Sequence, residues 1–153
     1  MDPKPSILVV EDDDALRRML AVSLSGLAHV VTAASVEQAM QHLGSEPPPA
    51  VVITDVMMPG ASGIELARTI RKTPRLSAVA IVMLSARTGP RDLVEGINAG
   101  ARHYVTKPFR SQDLHEKIAR LLKNAPPAAP PLELEVVEED PLELDLELEL
   151  VAE

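Results

Sequence analysis

The chain of 153 residues contains no cysteine and no tryptophan, and it has a single tyrosine and a single phenylalanine. Without cysteine, the sequence excludes disulfides, thiol chemistry and a cysteine zinc site. A core must therefore be built from aliphatic side chains and methionine. No apolar run reaches the roughly 18 residues of a membrane span, and the N-terminus lacks a signal-peptide pattern. We therefore expect no membrane partner and a cytoplasmic location.

Basic residues are missing from residues 125–153, which hold 10 of the 23 acidic residues. All 15 basic residues and the other 13 acidic residues lie in residues 1–124, giving that part a net charge of +2 within a total of −8. Neither a near-neutral body nor an acidic tail is typical of a nucleic-acid surface. We therefore expect no nucleic-acid partner.

Five apolar segments rich in branched residues alternate with amphipathic segments along the chain. Continuous apolar strands suit a sheet that is buried on both faces, with helices as right-handed crossovers between parallel strands. The pattern predicts an α/β fold with a doubly wound, five-stranded parallel sheet. The predicted strands are residues 6–10, 29–34, 51–54, 79–84 and 103–106. The predicted helices are residues 15–25, 36–43, 63–72, 90–98 and 111–122, with Asp14, Ser35 and Ser62 as N-caps and Gly26 as a C-terminal cap.

Polar side chains follow four of these strands at the point where each strand ends. Glu11 and Asp12 follow the first strand, Asp55 the third, Ser85 the fourth and Lys107 the fifth. Because the carboxyl ends of parallel strands meet at one edge of the sheet, these side chains are expected to lie close together. Asp55 considered alone is equally consistent with a strand-end cap.

The chemistry of this set points to phosphoryl transfer. Three clustered carboxylates repel each other unless a cation joins them, and carboxylate oxygens suit Mg²⁺ or Mn²⁺. Lys107 supplies a positive charge for a phosphoryl group, and Ser85 supplies a hydrogen bond. Asp55 is placed as a nucleophile, since an aspartate can form an acyl phosphate.

Other phosphate and hydrolytic chemistries fit less well. The sequence has no glycine-rich phosphate loop, and its four histidines show no metal-ligand spacing. Ser85 has no partner set for a hydrolase triad. A metal-dependent phosphatase of related topology is disfavoured because Met57, and not a second acid, stands two residues after Asp55.

Over residues 5–124 the chain resembles the receiver domain of two-component response regulators. The motifs at the four strand ends are Val-Val-Glu-Asp-Asp, Asp-Val-Met-Met-Pro-Gly, Leu-Ser-Ala and Tyr-Val-Thr-Lys-Pro-Phe. Each motif is weak alone, but all four in order at strand ends are highly specific. The resemblance implies a flavodoxin-like (β/α)5 fold of the chemotaxis-receiver type, with strand order 2-1-3-4-5.

The resemblance also implies a phosphoacceptor rather than an enzyme, with slow self-dephosphorylation at most. Asp55 would take a phosphoryl group from the phosphohistidine of a sensor histidine kinase or phosphotransfer protein. Mg²⁺ would be bound by Asp12, Asp55 and the backbone carbonyl of Met57, with Glu11 acting through water.

Four further residues have roles implied by the resemblance. Ser85 and Lys107 would contact the phosphoryl oxygens, and Ser85 and Tyr104 would form the switch. The peptide bond before Pro108 would be cis, as X–Pro bonds alone allow at low cost. Such a protein would act on a downstream protein effector as a monomer or a weak, phosphorylation-dependent dimer.

The sequence divides into a receiver domain (residues 1–124), a Pro/Ala linker (125–131) and an acidic Leu/Glu-rich tail (132–153). Leucine–acid alternation of this kind is typical of segments that are disordered in isolation. The tail either covers the face made by the fourth helix, fifth strand and last helix, or binds a partner elsewhere; amide spectra of residues 1–124 and of the full chain would distinguish these. A second hypothesis for the whole chain is a scaffold that signals through this tail without phosphorylation.

Overall fold

Strands and helices alternate along the part of the chain that the computed structural model describes, residues 5–58, 60–86 and 90–123. The strands are β1 (Ser6–Val10), β2 (His29–Ala33), β3 (Val51–Asp55), β4 (Ala80–Ser85) and β5 (His103–Thr106). The helices are α1 (Asp14–Leu24), α2 (Val36–Ser45), α3 (Gly63–Lys72), α4 (Pro90–Asn98) and α5 (Ser111–Lys123), and a short 3₁₀ helix follows α3 at Pro74–Leu76. Among the described residues, no helix is both long and apolar enough to cross a bilayer. The predicted linker 125–131 and tail 132–153 lie outside the described residues.

The five strands form one parallel sheet in the order β2-β1-β3-β4-β5, which confirms the predicted doubly wound fold. The register brings the carboxyl ends of neighbouring strands level. Asp55 at the end of β3 pairs with Leu84, and Ser85 at the end of β4 pairs with Thr106. Residues that follow β1, β3, β4 and β5 therefore share one edge of the sheet.

Alternate residues of each central strand belong to two separate cores. In β1, Ile7 and Val9 pack with α1 and α5, whereas Leu8 and Val10 pack with α2, α3 and α4. Every residue of β3 and β4 is buried. Because both faces of these strands are covered, their sequences are continuous apolar runs rather than apolar–polar alternations.

The end of α1 differs from the prediction that Gly26 caps it. The helix ends at Leu24, and Ser25 is its C-cap with a right-handed backbone. The amide and the hydroxyl of Ser25 both donate to the carbonyl oxygen of Val22. Since these bonds satisfy the last turn, Gly26 does not need the positive φ that a glycine cap provides, and it does not adopt one.

Arg71, near the end of α3, joins three parts of the chain through its guanidinium group. It donates to the carbonyl oxygens of Ser77 at 3.2 Å, Val79 at 2.7 Å and Gly100 at 3.0 Å. Gly100 follows α4, and its φ of 115° strongly favours glycine. A side chain there would also collide with the Arg71 side chain, whose Cγ would be 2.5 Å from an added Cβ. Arg71 therefore fixes the end of α4 against α3 and the start of β4.

We expect Arg71→Met to lower the free energy of unfolding by about 1–3 kcal/mol, because it leaves the carbonyls of the buried residues Val79 and Gly100 without their donor. Urea denaturation followed by circular dichroism measures this loss. Lys72→Met is the matched control, since Lys72 is the exposed neighbour on the same helix. Equal losses in the two variants would contradict a specific role for Arg71.

Candidate functional site

The four acidic residues after β1 have four different environments. Glu11 is buried, and Asp12 is exposed at the sheet edge. Asp13 is the N-cap of α1, and its carboxylate accepts a bond of 3.0 Å from a backbone amide of the first turn. Asp14 is the first residue of α1 and forms an exposed ion pair. The prediction that Asp14 caps this helix was wrong by one residue, because Asp13 has the extended backbone that a cap requires.

Backbone contacts hold Glu11 in place. Its amide donates to the carbonyl oxygen of Ala33 at 3.0 Å, which extends the pairing of β1 with β2. Its carbonyl oxygen accepts from Nη1 of Arg17 at 2.9 Å, and Oε2 of its carboxylate accepts from the amide of Asp13 at 3.2 Å. The sequence pattern had not singled out Arg17, which spans from α1 to the end of β1.

Asp55 ends β3 and is 7% exposed. Its Oδ1 accepts from the amide of Met57 at 3.3 Å, and its carbonyl oxygen accepts from Oγ1 of Thr54 at 2.9 Å. The next amide, that of Val56, donates to the carbonyl oxygen of Leu84 on β4. The amide of Met57, in the loop after β3, therefore holds the carboxylate of Asp55. The bond from Val56 to Leu84 continues the pairing of β3 with β4 past Asp55.

Gly63, the first residue of α3, lies directly against Asp55. A Cβ atom at position 63 would lie 2.1 Å from the carbonyl oxygen of Asp55. The amide of Gly63 donates to the carbonyl oxygen of Val56 at 3.0 Å, and the preceding residue, Ser62, forms a capping box with Glu65. The cap at Ser62 was predicted from sequence, but the need for glycine beside it was not. The requirement for glycine at position 63 cannot be read from its spacing to Asp55 alone. It becomes visible only when α3 is known to begin against the end of β3.

Lys107, at the end of β5, contacts two of the acids. Its Nζ lies 2.9 Å from Oδ2 of Asp55 and 3.1 Å from Oε1 of Glu11. Its amide donates to the carbonyl oxygen of Ser85 at 2.7 Å, and the peptide bond between Lys107 and Pro108 is cis. The structure thus brings together side chains that lie far apart in the sequence.

The pKa shifts at this site follow from burial and from the pairing with Lys107. Burial raises the pKa of the Glu11 carboxyl, and the hydrogen bonds from the Asp13 amide and from Lys107 oppose that shift only in part. Burial acts to lower the pKa of Lys107, but its hydrogen bonds to Asp55 and Glu11 outweigh this effect and raise it. Lys107 therefore stays positively charged beside the carboxylates.

Glu11, Asp12 and Asp55 each offer a carboxylate oxygen, and these three oxygens lie within 4.8 Å of one another. Hard oxygen ligands of this kind suit Mg²⁺, and Mn²⁺ as well. Asp12 is exposed while the other two are buried, so the group opens to solvent on one side. The residues present therefore fit a divalent cation.

Ser85 lies on β4, the strand next to Asp55, and Tyr104 lies on β5, one strand further along the sheet. Ser85 ends β4 and is fully buried. Tyr104 is in β5, pairs in register with Met83 of β4, and is 4% exposed. The phenol ring therefore belongs to the core between the sheet and α4, and it is not an exposed edge-strand side chain.

Comparison with known proteins places this geometry in a family. The profile of the response regulator receiver domain matches residues 7–119. The chain belongs to the response regulator receiver domain family. Receiver domains are components of two-component systems, so the resemblance at the four strand ends is confirmed.

Relatives of this receiver domain include longer regulatory proteins. The chain is 42% identical over 120 residues to the transcriptional regulatory protein AfsQ1 of Streptomyces coelicolor, covering 78% of this chain and 52% of that protein. It is 38% identical over 124 residues to the phosphate regulon transcriptional regulatory protein PhoB of Rhizobium meliloti, covering 80% and 54%. The chain therefore spans about half the length of these relatives.

Solved structures support the same fold. The BeF3-activated DrrB receiver domain superposes with a TM-score of 0.71 at 31% identity, covering 79% of this chain and 99% of that one. Chemotaxis response regulator CheY4 of Vibrio cholerae superposes with a TM-score of 0.72 at 28% identity, covering 77% and 98%.

The histidines of this receiver domain do not join the acidic group. The group formed by Glu11, Asp12 and Asp55 contains no histidine. His103 is buried in β5, whereas His29 begins β2 and is exposed. Within the described residues, this agrees with the absence of metal-ligand spacing among histidines in the sequence.

We expect Mg²⁺ to raise the melting temperature of the receiver domain, because a ligand of the folded state adds RT ln(1 + [L]/Kd), about 2.7 kcal/mol at 100 times Kd. Asp12→Ala should remove most of this stabilisation, since it deletes one of the three clustered carboxylates. Asp14→Ala is the control, because Asp14 belongs to the same acidic run but not to the group of three. Calorimetry with and without Mg²⁺ measures both, and an unchanged shift in Asp12→Ala would show that the cluster is structural.

Proposed function

We propose that this receiver domain is a phosphorylation switch in which Asp55 is the phosphoacceptor. The observation that carries the proposal is the position of Lys107, whose Nζ lies within hydrogen-bond distance of both Asp55 and Glu11. Lys107 places a positive charge beside Asp55, the buried acid that ends β3. Such a charge stabilises an incoming phosphoryl group as well as the carboxylate.

The reaction is a transfer between a phosphohistidine and Asp55. An oxygen of the Asp55 carboxylate attacks phosphorus, the P–O bond forms, and the P–N bond to the donor imidazole breaks. The imidazole keeps the electron pair and takes a proton. Lys107 and the hydroxyl of Ser85 hold the phosphoryl oxygens in the product.

The metal site belongs to the same proposal. Asp12, Asp55 and the backbone carbonyl of Met57 would hold Mg²⁺, with Glu11 acting through water. The cation supplies charge neutralisation for the phosphoryl oxygens. Its support is the cluster of three carboxylate oxygens and the amide of Met57, which already ties that residue to Asp55.

The switch is proposed to pass from Ser85 to Tyr104 and then to the face made by α4, β5 and α5. Phosphorylation draws Ser85 toward the new oxygens and favours the buried position of the Tyr104 ring, so the populations of two surfaces change. Amide chemical shifts of residues 90–115 should therefore move when Asp55 is labelled. Unchanged shifts there would contradict this route.

The partners follow from the chemistry. The phosphoryl donor is a sensor histidine kinase or a phosphotransfer protein, and the phosphorylated domain acts on a downstream protein effector. A cytoplasmic location is part of the proposal because kinases draw phosphoryl groups from ATP, which that compartment holds. The matched residues make up about half of each of these transcriptional regulators, so the absence of a nucleic-acid partner stays a proposal for this chain.

The division into a receiver domain (1–124), a linker (125–131) and an acidic tail (132–153) stays a proposal. It is supported by the family match, which ends at residue 119, and by α5, which ends at Lys123. A monomer or a weak phosphorylation-dependent dimer is proposed for the same chain. The alternative is a scaffold that signals without phosphorylation. Its signalling would not require the cluster of Glu11, Asp55 and Lys107.

We expect incubation with phosphoramidate and Mg²⁺ to add one phosphoryl group to the full chain, seen by intact mass spectrometry. Phosphoramidate carries the P–N bond of a phosphohistidine. Asp55→Asn should abolish the gain, because the amide is a far weaker nucleophile and metal ligand. Asp13→Asn is the matched control, since the substitution is chemically the same and asparagine also caps helices.

The control should be labelled like the wild type. Equal labelling of Asp55→Asn would reject Asp55 as the acceptor, and no labelling of the wild type would favour the scaffold.

A further inference from the structure

The middle of α4 approaches the Tyr104 ring at a glycine. A Cβ atom at Gly96 would lie 2.8 Å from Cδ2 and 3.0 Å from Cε2 of Tyr104, and 3.3 Å from Sδ of Met83. Contacts below 3.0 Å are not tolerated, so a methyl group cannot be added here unless something moves. Glycine in a helix interior is unfavourable relative to alanine, which indicates that this position is set by packing and not by helix formation.

The Tyr104 ring and the side chain of Met83 therefore both lie against the backbone of α4 at Gly96. Met83 and Tyr104 are paired in register on neighbouring strands, and both are buried. We call the space that holds the ring its seat; it is bounded by the sheet on one side and by the backbone of α4 at Gly96 on the other. Its width depends on the missing side chain at Gly96.

We propose that Gly96 is a positioning residue that forms the seat for the buried Tyr104 ring, and that it thereby sets the fraction of molecules in the ring-buried form. The proposal rests on the switch described under Proposed function, in which this form favours phosphorylation. It adds a residue to that switch which contacts neither the acids nor the phosphoryl group.

The helix itself is not free to move away from the ring. Arg71 holds the carbonyl oxygen of Gly100 at 3.0 Å, and the amide of Ala101 donates to the carbonyl oxygen of Gly96 at 3.1 Å. Ile97, the next residue of α4, is packed in the same core as the ring. Because these contacts fix the C-terminal end of α4 beside Gly96, we expect an added methyl group to displace the ring rather than the helix.

Tyr104 reports on its own position because the chain has one tyrosine and no tryptophan. The test is acrylamide quenching of tyrosine fluorescence in the full chain for the wild type, Gly96→Ala and Gly44→Ala. Gly44 is a helical residue of α2 whose added Cβ meets nothing within 4 Å, so Gly44→Ala makes the same chemical change in open space.

In Gly96→Ala the ratio of buried to exposed ring should fall by roughly 5- to 30-fold, the factor expected when overpacking costs one or two kcal/mol. Quenching should then rise towards that of free tyrosine, while Gly44→Ala should be quenched like the wild type. Unchanged quenching in Gly96→Ala, or an equal change in both variants, would overturn the proposal.

A second measurement covers the case in which Gly96→Ala unfolds. In a Tyr104→Ala background the ring is absent, so Gly96→Ala should raise the melting temperature there, as Gly44→Ala is expected to do in the wild type. If Gly96→Ala lowers the melting temperature equally with and without the ring, the seat is not the reason for the glycine, and the proposal fails.

Labelling with phosphoramidate and Mg²⁺ separates this inference from the proposed function. Slower labelling of Gly96→Ala, by up to the same factor as the loss of buried ring, supports both. Greater quenching with unchanged labelling supports the seat but contradicts the link between Tyr104 and phosphorylation. No labelling of the wild type contradicts the proposed function alone, because the quenching result does not depend on it.

Discussion

The ammonium group of Lys107 lies 2.9 Å from Asp55 and 3.1 Å from Glu11, and the rest of the site depends on this contact. Glu11 and Asp55 have almost no exposed surface, so as carboxylates they lose most of their hydration and repel each other. A lysine between them offsets part of the cost of burial, although removing either partner would leave a charge buried without compensation. The same arrangement keeps a positive charge fixed where a phosphoryl group would arrive.

That contact requires the parallel sheet. Glu11, Asp55 and Lys107 lie at the ends of three different strands, and only a common strand direction with level ends brings them to one edge. The common direction in turn requires helical crossovers, which cover both faces and force the strands to be apolar on both sides. The continuous apolar runs and the clustered charges are therefore two consequences of one architecture.

Close approaches between helices and the sheet edge give the site its rigidity. Gly63 lets α3 begin against the carbonyl oxygen of Asp55, and Gly96 lets α4 pack against Tyr104. Arg71 holds the far end of α4 through the carbonyl of Gly100. Protein interiors are packed tightly enough that a displacement at one such contact is passed to the next, and the proposed switch would use such contacts to carry a small change near Asp55 to a distant surface.

The sequence alone determined the strands, the order of the elements and the acids, serine and lysine at the strand ends, because those depend on local periodicity and on the shared edge of any parallel sheet. It misplaced the cap of α1 by one residue and expected a glycine cap at Gly26, since Asp13 and Asp14 are equivalent in composition and differ only in backbone conformation. Tertiary structure alone decided the roles of Arg17, Gly63, Arg71 and Gly96. Each role depends on an atom supplied by a distant part of the chain or by another element, and no local pattern encodes that distance.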